Sequence, residues 1–356
     1  MKRQAGFSMV ELMVAIVLAM ILTGAVIAVF VGSRTAYQAT AGVGEMSDSG
    51  RFALNLIGES VRSAGNLACN SAMSATSQAV LPVGTTFTNN YGQGIAGFEA
   101  NGTTPPAALS LPAVPAAGAA NNWTPNLDPA VTGAAAAGPF GFPVKGSDVL
   151  VVRSSVPRVT PVYTTADAAP GDSNVFVTPI PLAMAPLQYA AIADCTKSVY
   201  FQIAAVGAGL PANVSLNAGV LPVGFSAGAV VAPLSTTVYY IGTGSDGDSS
   251  LWRIEQVNGP NFSAEELVPD IENMQVLYGI DPSGSQTAAA YVTADQVGAL
   301  NVVSIEVALL VASPPATKPV VAPLPYNVLG TQVTAPADNR VRRVFNATIN
   351  LRNAVN

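Results

Sequence analysis

Histidine is absent from this chain of 356 residues, and charged side chains are scarce. Without histidine the chain has no Ser-His-Asp triad, no histidine-ligated zinc and none of the usual near-neutral general base. Charged residues make up 10% of the sequence, whereas about 25% is typical of soluble domains. The formal net charge is −6 and the cations are scattered, so we expect no nucleic-acid partner.

A long apolar run lies near the N-terminus. The twenty residues from Leu12 to Val31 carry no charge. As a helix with a rise of about 1.5 Å per residue, this run spans about 30 Å, the thickness of a bilayer core. Lys2 and Arg3 precede the run, and Arg34 alone follows it closely. This bias favours a cytoplasmic N-terminus and an exported remainder, with a single crossing of the bacterial inner membrane.

Glu11 is the single carboxylate at the start of this apolar segment. A charged side chain costs about 2.5–3.5 kcal/mol if it reaches the bilayer centre, so Glu11 should have a partner. Cleavage between Gly6 and Phe7 would give Phe7 a cationic α-amine. Glu11 can pair with such an amine, either its own or that of a neighbouring subunit.

The stretch Gly6-Phe7-Ser8-Met9-Val10-Glu11-Leu12 closely resembles the prepilin leader of type IV pilins and pseudopilins. The resemblance implies that prepilin peptidase cleaves after Gly6 and that Phe7 is then N-methylated. It also implies that Glu11 neutralises the amine of the adjacent subunit during assembly. The alternative is an ordinary signal anchor in which the glutamate occurs by chance.

The chain has two cysteines, Cys69 and Cys195, and both lie in the part that we expect to be exported. A disulfide is the usual state of a cysteine pair in an oxidising periplasm. It would close a long loop and stabilise the fold by about 4–5 kcal/mol in the chain-entropy description. The alternative is two free buried thiols.

The hydrophobic pattern predicts how the rest of the chain is organised. No proline occurs in residues 33–68, and apolar residues recur at spacings of three and four, which predicts an amphipathic continuation of the helix. Alternating patterns further on predict half-buried antiparallel strands. These strands cover about 149–153, 199–203, 237–241, 251–254, 303–311 and 345–351, and residues 265–277 are expected to hold a short helix followed by a strand.

Several later segments resemble PilW-type minor pilins. They are residues 50–54, 62–69, 194–195, 239–241 with 251–253, 272–279 and 342–345. The resemblance implies an α+β pilin fold, in which a long N-terminal helix packs on an antiparallel β-sheet head with long loops. It also implies the partners of a minor pilin: prepilin peptidase, other minor pilins, the major pilin and the inner membrane before assembly.

The expected organisation has four parts. Residues 1–6 form the leader, 7–32 the membrane-spanning assembly helix, 33–68 its amphipathic continuation and 69–356 the head. Residues 100–143 are rich in Ala, Pro and Gly and are expected to form a surface insertion with few core side chains. A second loop-rich stretch is expected at about 157–190.

Other motifs carry little functional weight. Residues 92–97 match G-x-G-x-x-G, but the sequence that follows is not that of a helix. Asp246-Gly247-Asp248 lacks the full ligand series of a calcium loop. The arginines at 340, 342, 343 and 352 are expected on the exposed side of the last strand. We therefore expect no catalytic residues, no cofactor and no metal.

These observations predict a structural minor pilin that helps to prime or cap a type IV pilus. Two alternatives remain open. One is a minor pseudopilin of a type II secretion system, which shares the leader and the fold. The other is an adhesin at the pilus tip, whose loops contact a surface.

Overall fold

The computed structural model describes residues 8–72, 74–82, 86–135, 141–156, 162–179, 184–258, 261–298, 300–315 and 322–353. Gly6 and Phe7 lie outside these described residues. The α-helices of the described part are α1 (Met9–Ser63) and α2 (Pro129–Ala135). Short 3-10 turns occur at Ala120–Asn122 and Ala294–Gln296.

The strands of the described residues fall into a first group, β1 (Asn66–Leu67), β2 (Asn70–Ser71), β3 (Ser77–Val80), β4 (Ile95–Ala100), β5 (Ala108–Ser110), β6 (Trp123–Thr124), β7 (Val149–Ser155), β8 (Val162–Thr164), β9 (Asn174–Thr178), β10 (Tyr189–Asp194), β11 (Lys197–Val206) and β12 (Ala212–Leu216). The second group is β13 (Val230–Thr243), β14 (Ser249–Asn258), β15 (Asn261–Pro269), β16 (Ile271–Asp281), β17 (Ala290–Val292), β18 (Asn301–Ala312), β19 (Pro325–Val328), β20 (Thr331–Thr334) and β21 (Arg342–Asn350).

Helix α1 is 55 residues long, about 80 Å at 1.5 Å per residue. Its C-terminal half buries an apolar stripe that includes Ala53, Ile57 and Val61, as the spacing predicts. The helix ends at Ser63, so the prediction that it continues to residue 68 is wrong. It stops because Gly65 adopts the left-handed conformation, with φ at +73°, which turns the chain into β1.

Two sheets face each other across the core next to α1. The smaller sheet has the order β17-β16-β18-β21, and all of its pairs are antiparallel. Opposite it lie β7, β13, β14 and β15 of the larger sheet, and side chains from both sheets and from α1 form one hydrophobic cluster. The head also contains two parallel pairs, β3 with β11 and β5 with β20. The predicted α+β fold, a long helix on a mainly antiparallel head, is confirmed.

A buried polar seam joins the two sheets at the start of β7. The Asp148 carboxylate, 3% exposed, accepts hydrogen bonds from the backbone N–H groups of Ala100 and Val276, both at 2.9 Å. Ala100 ends β4 in the larger sheet and Val276 lies in β16 of the smaller one. Because Asp148 bonds to both, this carboxylate fixes the spacing and register between the sheets.

Residues 162–234 contribute to a closed barrel. The pairings run β13-β10-β11-β12-β9-β8 and return to β13, and every pair in this circuit is antiparallel. Apolar side chains such as Phe201 and Val231 fill the interior. The expectation of a loop-rich stretch at 157–190 is therefore wrong for β8, β9 and the first two residues of β10, while residues 157–161 and 180–183 lie outside the described part.

Residues 100–143 contribute more to the core than their composition predicts. Trp123 is 1% exposed, and its indole N–H donates to the carbonyl oxygen of Ser147 at 2.8 Å. Leu127 and Val131 are buried in the same cluster. The expectation that few side chains of this segment anchor a core is wrong, because this aromatic residue and its apolar neighbours cover one face of the larger sheet.

The short helix expected within residues 265–277 is not formed. These residues belong to β15 and β16, which are joined by a turn at Asp270 with φ at +64°. Exposure along β15 largely alternates, as a strand with one covered face requires. Pairing with β14 on a long antiparallel ladder outweighs the helical propensity of Glu265-Glu266-Leu267.

The G-x-G-x-x-G match has a packing explanation. Gly97 lies in β4, so a strand follows the first glycines where a dinucleotide site needs a helix. A Cβ at Gly94 would meet the backbone of Gly65, and one at Gly97 would meet the hydroxyl group of Tyr278. These glycines permit close approach between segments of the head.

Two glycines of α1 provide a matched test of how the helix packs on the head. Gly50 is buried, and a Cβ there would lie 2.6 Å from the Phe345 ring of β21. Gly44 is exposed, with nothing within 4 Å of its Cβ position. We expect Gly50→Ala to destabilise the chain by about 1–3 kcal/mol, since overpacking outweighs the gain in helix propensity.

The control Gly44→Ala should instead stabilise the chain by up to about 1 kcal/mol. Denaturant unfolding of the full chain in detergent measures both variants. Equal changes in the free energy of unfolding would contradict the close contact between Gly50 and Phe345.

Buried carboxyl groups next to the seam predict that the stability of the folded chain depends on pH. Glu99 is 3% exposed, and burial, with a contribution from nearby Asp295, raises its pKa from 4.5 to about 7. Burial also raises the pKa of Asp148. Between about pH 4.5 and 7 the folded state therefore binds protons more tightly than the unfolded state does.

We expect the melting temperature of the chain to fall between pH 5 and pH 8, because the contribution of the protonated Glu99 is lost as the pH rises through 7. Glu99→Gln should reduce this fall. The exposed helix residue Glu45 provides the control, and Glu45→Gln should leave the fall unchanged. A melting temperature that rises over this interval would contradict the assignment.

Candidate assembly surface

The first part of α1 has no protein cover in the described residues. Every residue from Met9 to Val31 is exposed, and large apolar side chains range from 46% exposure at Ile16 to 84% at Met9. In the described part of the chain, α1 is the one helix long and apolar enough to cross a membrane. An apolar surface of this size needs lipid or other apolar helices around it.

Polar side chains within this segment are few, and their bonding suits an apolar environment. The Thr23 hydroxyl donates to the carbonyl oxygen of Ala19 at 2.7 Å, one turn back, so it needs no outside partner. Glu11 lies in the first turn of the helix and is exposed. It forms no ion pair with any described residue. Its pairing with the Phe7 amine stays a prediction.

The second part of α1 is fixed to the head by packing and by a hydrogen bond. Its buried stripe contacts β21, β18, β15 and β7. The Ser60 hydroxyl and the Tyr239 hydroxyl of β13 lie 2.6 Å apart within hydrogen-bonding distance. Because one continuous helix carries both parts, the uncovered surface is held in a defined orientation relative to the head.

A cluster of ion pairs closes the end of the core that lies near the last strand. Its members are Arg340, Arg342, Asp248, Asp270, Glu272 and Asp338. Arg342 donates to both oxygens of Glu272, at 2.6 and 2.8 Å, and also contacts Asp338. Arg340 contacts Asp270 and donates to Asp248 at 2.9 Å.

The positions of these arginines correct the sequence-based expectation. The side chains of Arg340 and Arg342 are only 8% and 4% exposed, whereas Arg343 and Arg352 are exposed as predicted. The two buried guanidinium groups are stabilised by four carboxylates, which lie in two turns, in β16 and in the segment before β21 and which compensate the cost of desolvation. Asp338 is four residues from Arg342, but sequence spacing cannot reveal the other three carboxylates, because they lie 70 or more residues away from the arginines that they contact.

The two cysteines meet in a shallow cleft. Cys69 lies in the turn between β1 and β2, and Cys195 in the turn between β10 and β11. Both are exposed thiols in this structure. Both line the same cleft, and partial burial together with the neighbouring thiol of Cys195 raises the pKa of Cys69 to about 11. The fold therefore brings the two sequence-predicted residues together.

Sequence reasoning missed two charged residues that the structure buries. Asp148 and Arg153 flank the apolar run of β7, in which every residue is buried. A charged residue beside a strand that is covered on both faces must find a polar partner inside the protein. The position of these two charged residues at the ends of an apolar run could have revealed them in the sequence. In the structure, they lie at the seam of Asp148 and beside a cavity at Arg153.

Two family models match the chain. Residues 238–353 match the family described as Type IV Pilus-assembly protein W, and residues 1–27 match the prokaryotic N-terminal methylation motif. The resemblance to PilW-type pilins is confirmed. The first match covers β14 to β21, including the ion-pair cluster, and the second extends to residue 27, within the uncovered part of α1. Barrel strands β8 to β12 fall outside both matches.

Other comparisons add little. No curated protein matches the chain. One solved structure, the phage phi92 endosialidase, aligns with 57% of this chain and 41% of its own length, at 8% identity and a TM-score of 0.17. At this TM-score the alignment says nothing about fold or function.

Proposed function

We propose that this protein is a non-enzymatic minor subunit of a type IV pilus that helps to prime or cap the filament. The observation that carries the proposal is the uncovered apolar half of α1, held rigidly by a head whose C-terminal third matches the PilW family. The match of residues 1–27 to the methylation motif supports processing at Gly6 and Phe7.

Before assembly, the subunit is stored in the inner membrane by its single apolar helix. The N-terminus lies in the cytoplasm and the head is exported, in agreement with Lys2 and Arg3 before the span. Prepilin peptidase then cuts between Gly6 and Phe7 and methylates the new amine. The methylated nitrogen of Phe7 stays cationic, so it can still pair with Glu11.

Assembly exchanges lipid for sister helices around α1. The exchange costs little hydrophobic free energy, because both environments are apolar. A charge pair gains strength in such a low-dielectric setting. The pair between Glu11 and the amine of a neighbouring subunit therefore fixes the register of the helices, and an unpaired Glu11 would be penalised. Minor pilins and the major pilin are the partners that present the same apolar surface.

A place at the filament end is favoured by the bulk of the head. The closed barrel β13-β10-β11-β12-β9-β8 lies beside the helix-packing sheets and largely outside the PilW match. A subunit in the filament shaft has neighbours above and below, whereas a terminal subunit has neighbours on one side alone. An enlarged head is easier to accommodate at the terminal position.

Complementation of a deletion strain tests this function. The strain receives the wild-type chain, Glu11→Ala or the control Glu45→Ala, which removes an exposed glutamate of the same helix. Sheared surface pili and exported enzymes are then quantified side by side. We expect the wild type and Glu45→Ala to restore pili, and Glu11→Ala to fail while its level in the membrane stays normal.

Two outcomes would contradict the proposal. Full restoration of pili by Glu11→Ala would show that assembly does not need the pair between Glu11 and the amine. Normal pili with failed enzyme export in the deletion strain would assign the protein to a type II secretion system as a pseudopilin.

Export also has a consequence for the two cysteines. We infer that Cys69 and Cys195 form a disulfide in the periplasm, since the fold places both in the lining of one small cleft. The bond would tie the segment that follows α1 to the β10–β11 turn of the barrel. It would restrict the unfolded chain over a loop of more than one hundred residues.

Alkylation of the exported protein without reductant should label neither cysteine, and labelling should appear after reduction. Cys69→Ala, Cys195→Ala and the double variant should lower the melting temperature equally, because each removes the same bond. Labelling of both cysteines before reduction, or additive effects of the two substitutions, would show that the thiols are independent.

A further inference from the structure

An open cavity of about 670 Å³ lies beside β4, where the segment before this strand, the start of α2 and the turn Ala294–Gln296 come together. Its volume is in the range of sites for small molecules. It is separate from the uncovered surface of α1, so pilus assembly does not account for it. Its lining contains Arg153, the buried cation at the end of the β7 apolar run.

The guanidinium group of Arg153 is held by main-chain carbonyls. The residue is 3% exposed. Its Nε and Nη2 donate to the carbonyl oxygen of Phe87 at 3.3 and 3.0 Å, and Nη1 donates to that of Gln93 at 3.1 Å. The group also lies over the Phe87 ring, 5.3 Å from its centroid. These contacts fix the orientation of the group but leave donor capacity on its nitrogens.

No described carboxylate forms a direct ion pair with this group, although the charge of Asp128 in the same cavity lining acts on it. Arg153 forms no ion pair with a described residue. The residues outside the described part of the chain include no Asp or Glu. Burial lowers the pKa of Arg153 to about 10, so the group is still charged at neutral pH. Arg340 and Arg342, the other buried arginines described above, each contact two carboxylates. A buried guanidinium group that has only carbonyl partners and keeps free N–H groups beside an open cavity can donate to the carboxylate of a ligand.

The rest of the lining restricts which anion fits. Asp128 and Asp295 also face the cavity. They would repel a dianion such as phosphate or sulfate more strongly than a single carboxylate. Asn90 and Asn126 offer amide donors and acceptors, and Phe98 contributes an apolar wall. Carboxylates and amides together suit a ligand with several hydroxyl groups, while one cation suits a single negative charge.

We propose that this cavity binds an acidic sugar through its carboxylate. Arg153 receives the carboxylate at the inner end of the cavity. Asn126 and Asp128 bond to the ring hydroxyls near the opening, and Phe98 contacts the apolar face of the ring. The ligand would occur either as a free uronic acid or as a residue of an acidic polysaccharide, and both present the same chemistry to the site.

Glucuronic acid is the first probe, with the full chain purified in detergent and binding measured by equilibrium dialysis. Glucose is the matched neutral sugar and acetate the matched carboxylate without hydroxyls. We expect saturable binding of glucuronate at pH 7, no binding of glucose and much weaker binding of acetate. Tighter binding of an oligomer of glucuronic acid than of the monomer would identify a polysaccharide as the source, and equal binding would identify the free acid.

Three variants locate the binding. Arg153→Gln should weaken glucuronate binding by about tenfold or more, as the loss of a hydrogen bond to a charged group predicts. Asn126→Ala alters an exposed residue at the opening of the cavity and should weaken glucuronate binding less than Arg153→Gln does. Asn121→Ala changes a nearby exposed residue outside the lining and should have no effect.

Absence of saturable glucuronate binding would overturn the proposal. So would equal affinity for acetate, since the hydroxyl-binding side chains would then have no role. If Arg153→Gln does not fold, as judged by its melting transition, Asn126→Ala against Asn121→Ala decides the matter, and equal affinity of these two variants would also overturn it.

Discussion

The apolar surface of residues 9–31 has to be covered by something other than water, and this requirement governs how the whole molecule is arranged. The same helix continues into the head, where its stripe around Ala53, Ile57 and Val61 is buried between two sheets. One element thus carries an intermolecular contact surface and an intramolecular one. No break in α1 separates them, so the head must follow wherever the helix is placed.

The head can follow the helix as one unit because its layers are joined by hydrogen bonds and ion pairs as well as by apolar packing. Asp148 joins the two sheets through backbone hydrogen bonds, and the Arg340 and Arg342 cluster closes the core near β21. Both arrangements satisfy buried charges with groups from distant parts of the chain. The added barrel relies instead on closure of a β-circuit around an apolar interior, so it can enlarge the head without altering the surface that packs on α1.

Buried charges in this protein fall into two kinds. Arg340 and Arg342 are compensated by carboxylates inside the chain and belong to the scaffold. Arg153 is bonded to carbonyl groups but forms no ion pair with a described residue, and it borders a cavity. The difference is one of electrostatics: hydrogen bonds to carbonyls orient a guanidinium group, but only an anion neutralises it.

The sequence by itself determined the long helix, its apolar first half, Glu11 within it and most of the strands of the C-terminal half. These features rest on local periodicity, which a helix or a strand imposes on its own residues. The tertiary structure alone decided the rest. The barrel depends on the pairing of β8 with β13, more than sixty residues apart, and the burial of Trp123 depends on a sheet to cover. The strand at 265–269 depends on a ladder with β14, and the paired state of Arg342 on Glu272. In each case the deciding partner is distant in sequence, and the local sequence pattern does not specify which distant group a residue will contact.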